Sequence, residues 1–442
     1  MLFLLFILSF FVARSQEQGF RFQHKVKKEV IPFQLISNLI FIPMTVNGAE
    51  LTFMLDTGVS ETFLFSLENK EVDFHNVEKI KFYGLGDKRD IEGLKSINNI
   101  VQISKNLKDD NHTIFLILDE DFNISSHVGI PANGIIGYQF FKNFPVKIDY
   151  ISKKITVYSG SNVKETRHYE ELPMTIELNK PYIMAGVQQM NEISESKLLI
   201  DLGNSDSIWL FPSLIPGFQY NRPNIEDFLG RGFNGDIYGK RSRIHRFIIK
   251  DYIFEKPLIA MPDSIQHIKL VKDRKGSAGA EILKRFTLIL NYPKNRIYLR
   301  KNRHFKDPFH INMSGMEIKH DGMFWDKDLV QIKTPATTDG DQIPVTSTVL
   351  VNSAVQYKFM LKPEYSVSGV RRDSPAQKAG IRKGDRFILI NGRKAGDMNL
   401  QEIYDLMMSE EGKEISLEMK RNEISLRFRL ILEDPIPYTN EQ

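Results

Sequence analysis

The stretch FMLDTGVSETFLF (Phe53–Phe65) recurs later in the chain as LLIDLGNSDSIWLF (Leu198–Phe211). Placing Asp56 on Asp201 also pairs Gly58 with Gly203, Ser60 with Ser205, Glu61 with Asp206 and Thr62 with Ser207, and apolar residues follow in both. Each copy runs three apolar residues into an Asp and, two positions on, a Gly. The apolar run reads as a buried strand. The Gly permits a sharp turn because it tolerates backbone angles that other residues avoid.

The match extends outward from this pair. IPMTV (Ile42–Val46) stands ahead of the first copy and LPMTI (Leu172–Ile176) ahead of the second. Downstream, Phe82–Ile97 resembles Phe228–Ile244, and NGIIGYQFFKNFPVKIDYISKKITVY (Asn133–Tyr158) resembles GSAGAEILKRFTLILNYPKNRIYL (Gly276–Leu299). The offset between Asp56 and Asp201 is 145, and that between Gly137 and Gly279 is 142. Blocks in the same order at a near-constant offset define an internal repeat. Short apolar or alternating runs bounded by Gly, Asn, Pro and Lys predict many short strands in each copy. VKIDYISKKITVY and LILNYPKNRIYL each predict a hairpin, and brief helices are expected at Gly137–Asn143 and Ala280–Arg285.

Two carboxylates related by a duplication can be brought face to face. Like charges that close do not both ionise cheaply, so such a pair shares one proton. The ionised member can activate a water, while the protonated member polarises a carbonyl. The pair titrates as a unit.

These motifs resemble the pepsin and retropepsin-like aspartic proteases over roughly residues 30–302: Leu55-Asp56-Thr57-Gly58 with Ile135-Ile136-Gly137, and Ile200-Asp201-Leu202-Gly203 with Ser277-Ala278-Gly279. The resemblance implies two homologous β-barrel lobes and a catalytic dyad of Asp56 and Asp201. It implies catalytic-loop support from Thr57, Gly58, Gly137, Gly203 and Gly279. It also implies a flap tip at Tyr83, Gly84 and Gly86, with Gly230 and Gly232 as its counterpart. The substrate is then a protein or peptide, and no cofactor or metal is implied. One departure stands out: the family's hydroxyl residue after the Asp is present as Thr57 but replaced by Leu202. Two other readings follow. The second copy is degenerate and the protein binds peptides without cutting, or two first lobes pair as a retropepsin-type homodimer.

Towards the C-terminus, Ser374-Pro375 predicts a helix start and Gly380 its end. Asn391-Gly392 predicts a tight turn, and apolar residues at Leu400, Ile403, Tyr404, Met407 and Met408 predict an amphipathic helix. Strands EISLEM and ISLRFRL follow. The run from Ser374 to Asp385 with Ile390-Asn391-Gly392 resembles the PDZ family of exported bacterial proteases, over about 305–433. That resemblance implies a peptide or C-terminal ligand held by strand addition, with Ser314, Gly315, Met316 and Ile318 in the binding loop.

The chain has 442 residues, 42% hydrophobic and 26% charged, with a formal net charge of +4 and no cysteine. This composition predicts packed cores. It offers no reason to invoke nucleic acid and excludes disulfides, zinc-thiolate sites and cysteine nucleophiles. The basic stretches Arg21–Lys28 and Gly239–Lys250 read as solvated strand faces. Leu2–Ala13 is apolar but shorter than a bilayer span, so residues 1–15 read as a signal peptide, and export to the periplasm or medium is expected. Membrane attachment would come only through that segment left uncleaved. The expected organisation is mainly β: lobe one over 16–160, lobe two over 161–302, a PDZ-like α+β domain over 303–434 with an inserted loop near 328–350, and a tail over 435–442. Gly230–Gly235 formally matches a dinucleotide fingerprint, but its alternating flanks read as strand. No H-E-x-x-H or G-x-S-x-G occurs.

Overall fold

A computed structural model describes residues 19–438 apart from 69, 83–90, 118–124, 191, 219–221, 233–234, 266–270 and 331–355. The proposed signal peptide, the first flap tip (Tyr83, Gly84, Gly86) and most of the expected insertion lie outside the described residues. The chain divides into two units, one of residues 1–123, 131–309 and 436–442 and the other of 124–130 and 310–435.

The first unit is built almost wholly of strands, in three sheets. Two of them repeat one plan. In the first, Ala49–Leu55 lies antiparallel to Leu39–Val46 and parallel to Gly134–Ile136, which in turn runs antiparallel to Thr62–Leu64. In the second, Glu192–Asp201 lies antiparallel to Lys180–Gln189 and parallel to Arg274–Gly279, which runs antiparallel to Ile208–Leu210. The next neighbour is parallel in both, Leu107–Ile117 and Leu258–Pro262. The strand carrying each Asp is buried on both faces, so its last residues are a continuous apolar run without alternation. Phe53, Leu55, Leu198 and Ile200 are all fully buried.

The third sheet joins the repeats. Its order is Glu170–Pro173, Arg296–Lys301, Phe286–Asn291, Pro145–Asp149, Lys154–Tyr158 and Lys28–Pro32. The expected hairpins form its two halves, turning at Lys153 and Asn295, both left-handed. Its central pair takes one strand from each repeat, with Val146 opposite Leu290 and Ile148 opposite Leu288, all four fully buried. The brief helices appear as Tyr138–Phe141 and Ala280–Leu283.

One equivalence drawn from the sequence is corrected. By strand pairing, Phe53 and Leu198 are equivalent, and their partners are Ile42 and Ile183. The partner of Ile42–Val46 is therefore Ile183–Val187. LPMTI matches Ile31–Leu35 instead, since both begin in outer strands of the joining sheet. The shared proline misleads because any strand at the start of such a repeat alternates apolar residues with polar ones.

Residues 436–438 belong to the first unit. Arg243 donates to the Ile436 carbonyl at 3.1 Å, Tyr438 bonds His245 at 2.9 Å, and the Arg222 guanidinium lies 4.1 Å from the Tyr438 ring centre.

The second unit is a sheet ordered Met316–Val330, Gln356–Val370, Arg386–Ile390, Glu414–Arg421 and Ile424–Ile431, with helices Pro375–Lys378 and Leu400–Met407. Ser374 caps the first helix, and Asn399 with Glu402 forms a capping box on the second. Asn391 and Gly392 both have positive φ, as a two-residue hairpin turn requires. The region read as an insertion starting near 328 begins as strand, since Met316–Val330 pairs Gln356–Val370 along its whole length. The short helix Ser125–Val128 packs on the Met316–Val330 strand, and Gly129 lies against Leu400. Among the described residues no helix is long and apolar enough to cross a membrane.

Candidate functional site

Asp56 and Asp201 end equivalent strands, and the chain turns immediately after each. The Asp56 amide donates to the Ile136 carbonyl at 2.9 Å, while Asp201 pairs with Gly279. The two side chains converge. A methyl group added at Gly58 would lie 3.0 Å from Oδ1 of Asp56 and 3.0 Å from Oδ1 of Asp201, so those oxygens are at most twice that distance apart. A methyl at Gly203 would sit 2.1 Å from the Asp56 carboxyl carbon. Each glycine thus lies against the carboxylate of the other repeat, and a side chain at Gly203 would overlap that of Asp56. The Gly58 amide donates to Asp56 Oδ1 at 2.6 Å, and the Gly203 amide supports both carboxylates.

Gly137 and Gly279 lie behind these turns. A methyl at either would come within 2.1 Å of the Val59 carbonyl or 2.2 Å of the Asp206 carbonyl. Thr57 crosses between repeats: its fully buried hydroxyl donates to the Ile200 carbonyl at 2.6 Å and accepts from the Leu202 amide at 3.0 Å. Leu202, its counterpart, is also fully buried but brings no hydroxyl. Ser60 donates to the Leu178 carbonyl and Asn38 to the Ser205 carbonyl, so the turn ahead of each repeat touches the Asp loop of the other.

Burial pushes Asp56 up to about 7, and the neighbouring Asp201 charge pushes in the same direction. Burial raises Asp201 as well, opposed by Arg274, Lys180 and a hydrogen bond from Ser277. Arg274 is buried and donates to Ser277 Oγ at 3.0 Å and to the Gly276 carbonyl at 3.1 Å. Burial pushes Lys180 down. Beyond the loop, Trp209 Nε1 donates to Asp206 at 2.7 Å, and Arg241 bridges Asp206 and Asp227 at 2.7 Å each. The expectation of a solvated basic face is corrected at Arg241. It points inward because two carboxylates meet it there.

Sequence reasoning misses Lys180, Arg274 and Arg241, and names Ser277 only as the first residue of the motif that ends in Gly279. Each occupies a position where the two copies differ, and a search for shared residues discards such positions. Gly230 and Gly232 lie at the end of the hairpin Ile225–Gly232 and Gly235–Arg243, with Gly230 at φ 144°. Among the described residues no cluster of three metal-ligating side chains occurs. Thr62, His112 and Asp109 form a hydrogen-bonded chain at 2.7 and 2.8 Å, but all three are buried and serve the packing of the first repeat.

In the second unit, Ser314, Gly315, Met316 and Ile318 lead into and begin the Met316–Val330 strand. Asn312 Oδ1 accepts from the Ser314 and Gly315 amides at 3.1 and 3.2 Å, and the Met316 amide donates to Ser314 Oγ at 3.1 Å. The Tyr404 hydroxyl, from the Leu400–Met407 helix, accepts from the Ile318 amide at 3.1 Å and donates to the Ile318 carbonyl at 2.8 Å. Side chains of the unit itself therefore hold the backbone groups of this strand edge. Asn312 begins a glycosylation sequon, yet its Nδ2 is bonded to the Met316 carbonyl at 2.7 Å.

Residues 366–421 match the family model of the PDZ domain. No curated protein matches the chain. The C-terminal portion thus carries a PDZ domain, a fold that suggests peptide binding; Ser314 to Ile318 lie well ahead of the matched stretch in sequence.

Proposed function

We propose that the chain is an aspartic endopeptidase with retropepsin-like lobes, in which Asp56 and Asp201 activate one water for peptide-bond hydrolysis. The PDZ domain would hold a peptide by strand addition, and export follows from the N-terminal apolar run. The observation that carries this reading is the convergence of two equivalent carboxylates, one from each repeat, over Gly58. Their burial keeps one proton in the pair near neutral pH, which the chemistry requires. The ionised carboxylate takes a proton from water as the water oxygen bonds the carbonyl carbon. The protonated one gives its proton to the carbonyl oxygen. Collapse then breaks the C–N bond, with the amine taking a proton.

The test uses wild type, Asp56→Asn and Asp201→Asn on a mixed peptide library across pH 3–8. Cleavage by wild type and by neither variant supports the dyad. Loss in Asp56→Asn alone points to a dimer of first repeats. Leu202, which brings no hydroxyl to match that of Thr57, favours a second reading: peptide binding without cutting. Wild type that binds library peptides and leaves them intact at every pH selects it.

A further inference from the structure

The two repeats agree in backbone but differ in what surrounds their carboxylates. Lys180, Tyr182 and Ser277 of the second repeat occupy the positions of Leu39, Phe41 and Ile135 in the first, by strand register. Lys180 opens its strand just after the left-handed pair Leu178-Asn179, as Leu39 follows Ser37-Asn38. That turn is tied to the first repeat by Ser60, which brings Lys180 beside both carboxylates. Arg274 enters from the neighbouring strand. It is buried with its guanidinium on Ser277 Oγ, and Ser277 in turn bonds Asp201. The duplication is thus broken at the carboxylates, with Arg274 and Ser277 on the Asp201 side, Lys180 beside both, and apolar side chains at three matching positions of the other repeat.

We propose that Arg274, acting through Ser277, polarises the pair, holding its negative charge on Asp201 and its proton on Asp56, while Lys180, beside both carboxylates, favours the charge without choosing between them. This rests on the dyad reading and adds what the duplication alone leaves open: Asp201 is the base towards water and Asp56 the acid towards the carbonyl. Arg274 and Ser277 are positioning residues. The charged and titratable groups facing the pair are Lys180 and Arg274, with Tyr182 near Asp201 and Tyr292 near Asp56, both phenols kept neutral by burial. A cation within about 4–6 Å lowers a carboxyl pKa by roughly one to three pH units, enough to decide which of two equivalent acids ionises first.

Carboxyl-¹³C-labelled aspartate in the full-length protein reads this directly by NMR, with Asp56→Asn and Asp201→Asn assigning the two signals. Asp201 is expected to ionise first. Ser277→Ala should raise its titration midpoint by about one pH unit and Ser277→Thr should leave it in place, while Lys180→Met should raise both midpoints together. Ser277→Ala keeps the test available if removal of buried Arg274 unfolds the protein. An Asp56 signal that ionises first, or an Asp201 midpoint unmoved in Ser277→Ala, overturns the proposal. The readout needs no turnover, so a protein that cuts nothing yet titrates as expected sinks the protease reading and leaves the polarisation standing.

Discussion

A raised carboxyl pKa has a consequence for stability. Asp56 at about 7 in the folded protein binds its proton more tightly than an unfolded Asp at 3.8, so between those values the native state holds the extra proton. The contribution of this proton to stability then falls as pH rises from about 4 to 7, at up to roughly 1.4 kcal/mol for each pH unit crossed. Thermal unfolding of wild type should show a lower Tm at pH 8 than at pH 5, and Asp56→Asn should flatten that fall. An identical slope in the variant would contradict the burial of the pair. Thr57 gives a second prediction. Thr57→Val strands the Ile200 carbonyl and the Leu202 amide, so denaturant unfolding should show a loss of about 1–3 kcal/mol, larger than an exposed Thr→Val would give. The Asp-x-Gly residues were legible in the sequence because the same constraint acts twice. Lys180 and Arg274 were not, because only proximity in three dimensions gives them meaning.

Elements carry their own tests. The Leu400–Met407 helix was legible from its apolar spacing, and its capping box adds to it, so Asn399→Ala should cost about 1 kcal/mol by thermal unfolding. That Tyr404 would turn its hydroxyl onto the strand edge was not legible, since a tyrosine in an apolar stripe reads as core. Tyr404→Phe should free the Ile318 amide and carbonyl. It should lose about 1 kcal/mol of stability and retain more peptide than wild type on an array of decapeptides with free and amidated ends. Equal or weaker retention would mean that the hydroxyl does not compete with ligand. The pairing of LPMTI with Ile31–Leu35 belongs to this scale too. Local alternation announces a strand but not which strand of the sheet it becomes.

At the scale of the whole first unit, the joining sheet couples the repeats. Leu288 lies fully buried opposite Ile148 of the other copy. Leu288→Ala should cost about 2–5 kcal/mol. By hydrogen exchange, protection should fall together in Ala49–Leu55 and Glu192–Asp201. A loss confined to the second repeat would mean that the copies fold independently. Here the duplication read in the sequence becomes a physical two-fold, because equivalent strands pair antiparallel with each other.

The sequence by itself determined the mainly β character of the chain, the duplication, the acidic turns with their glycines and the PDZ-like C-terminal portion. Those features repeat or alternate along the chain, and the backbone rules that produce them act over a few residues. Tertiary structure alone decided that the two Asp loops meet, that the Thr57 hydroxyl ties them, and that Arg274 reaches Asp201 through Ser277. Those facts depend on strand order and register, which bring together groups far apart along the chain, and no local pattern encodes that distance.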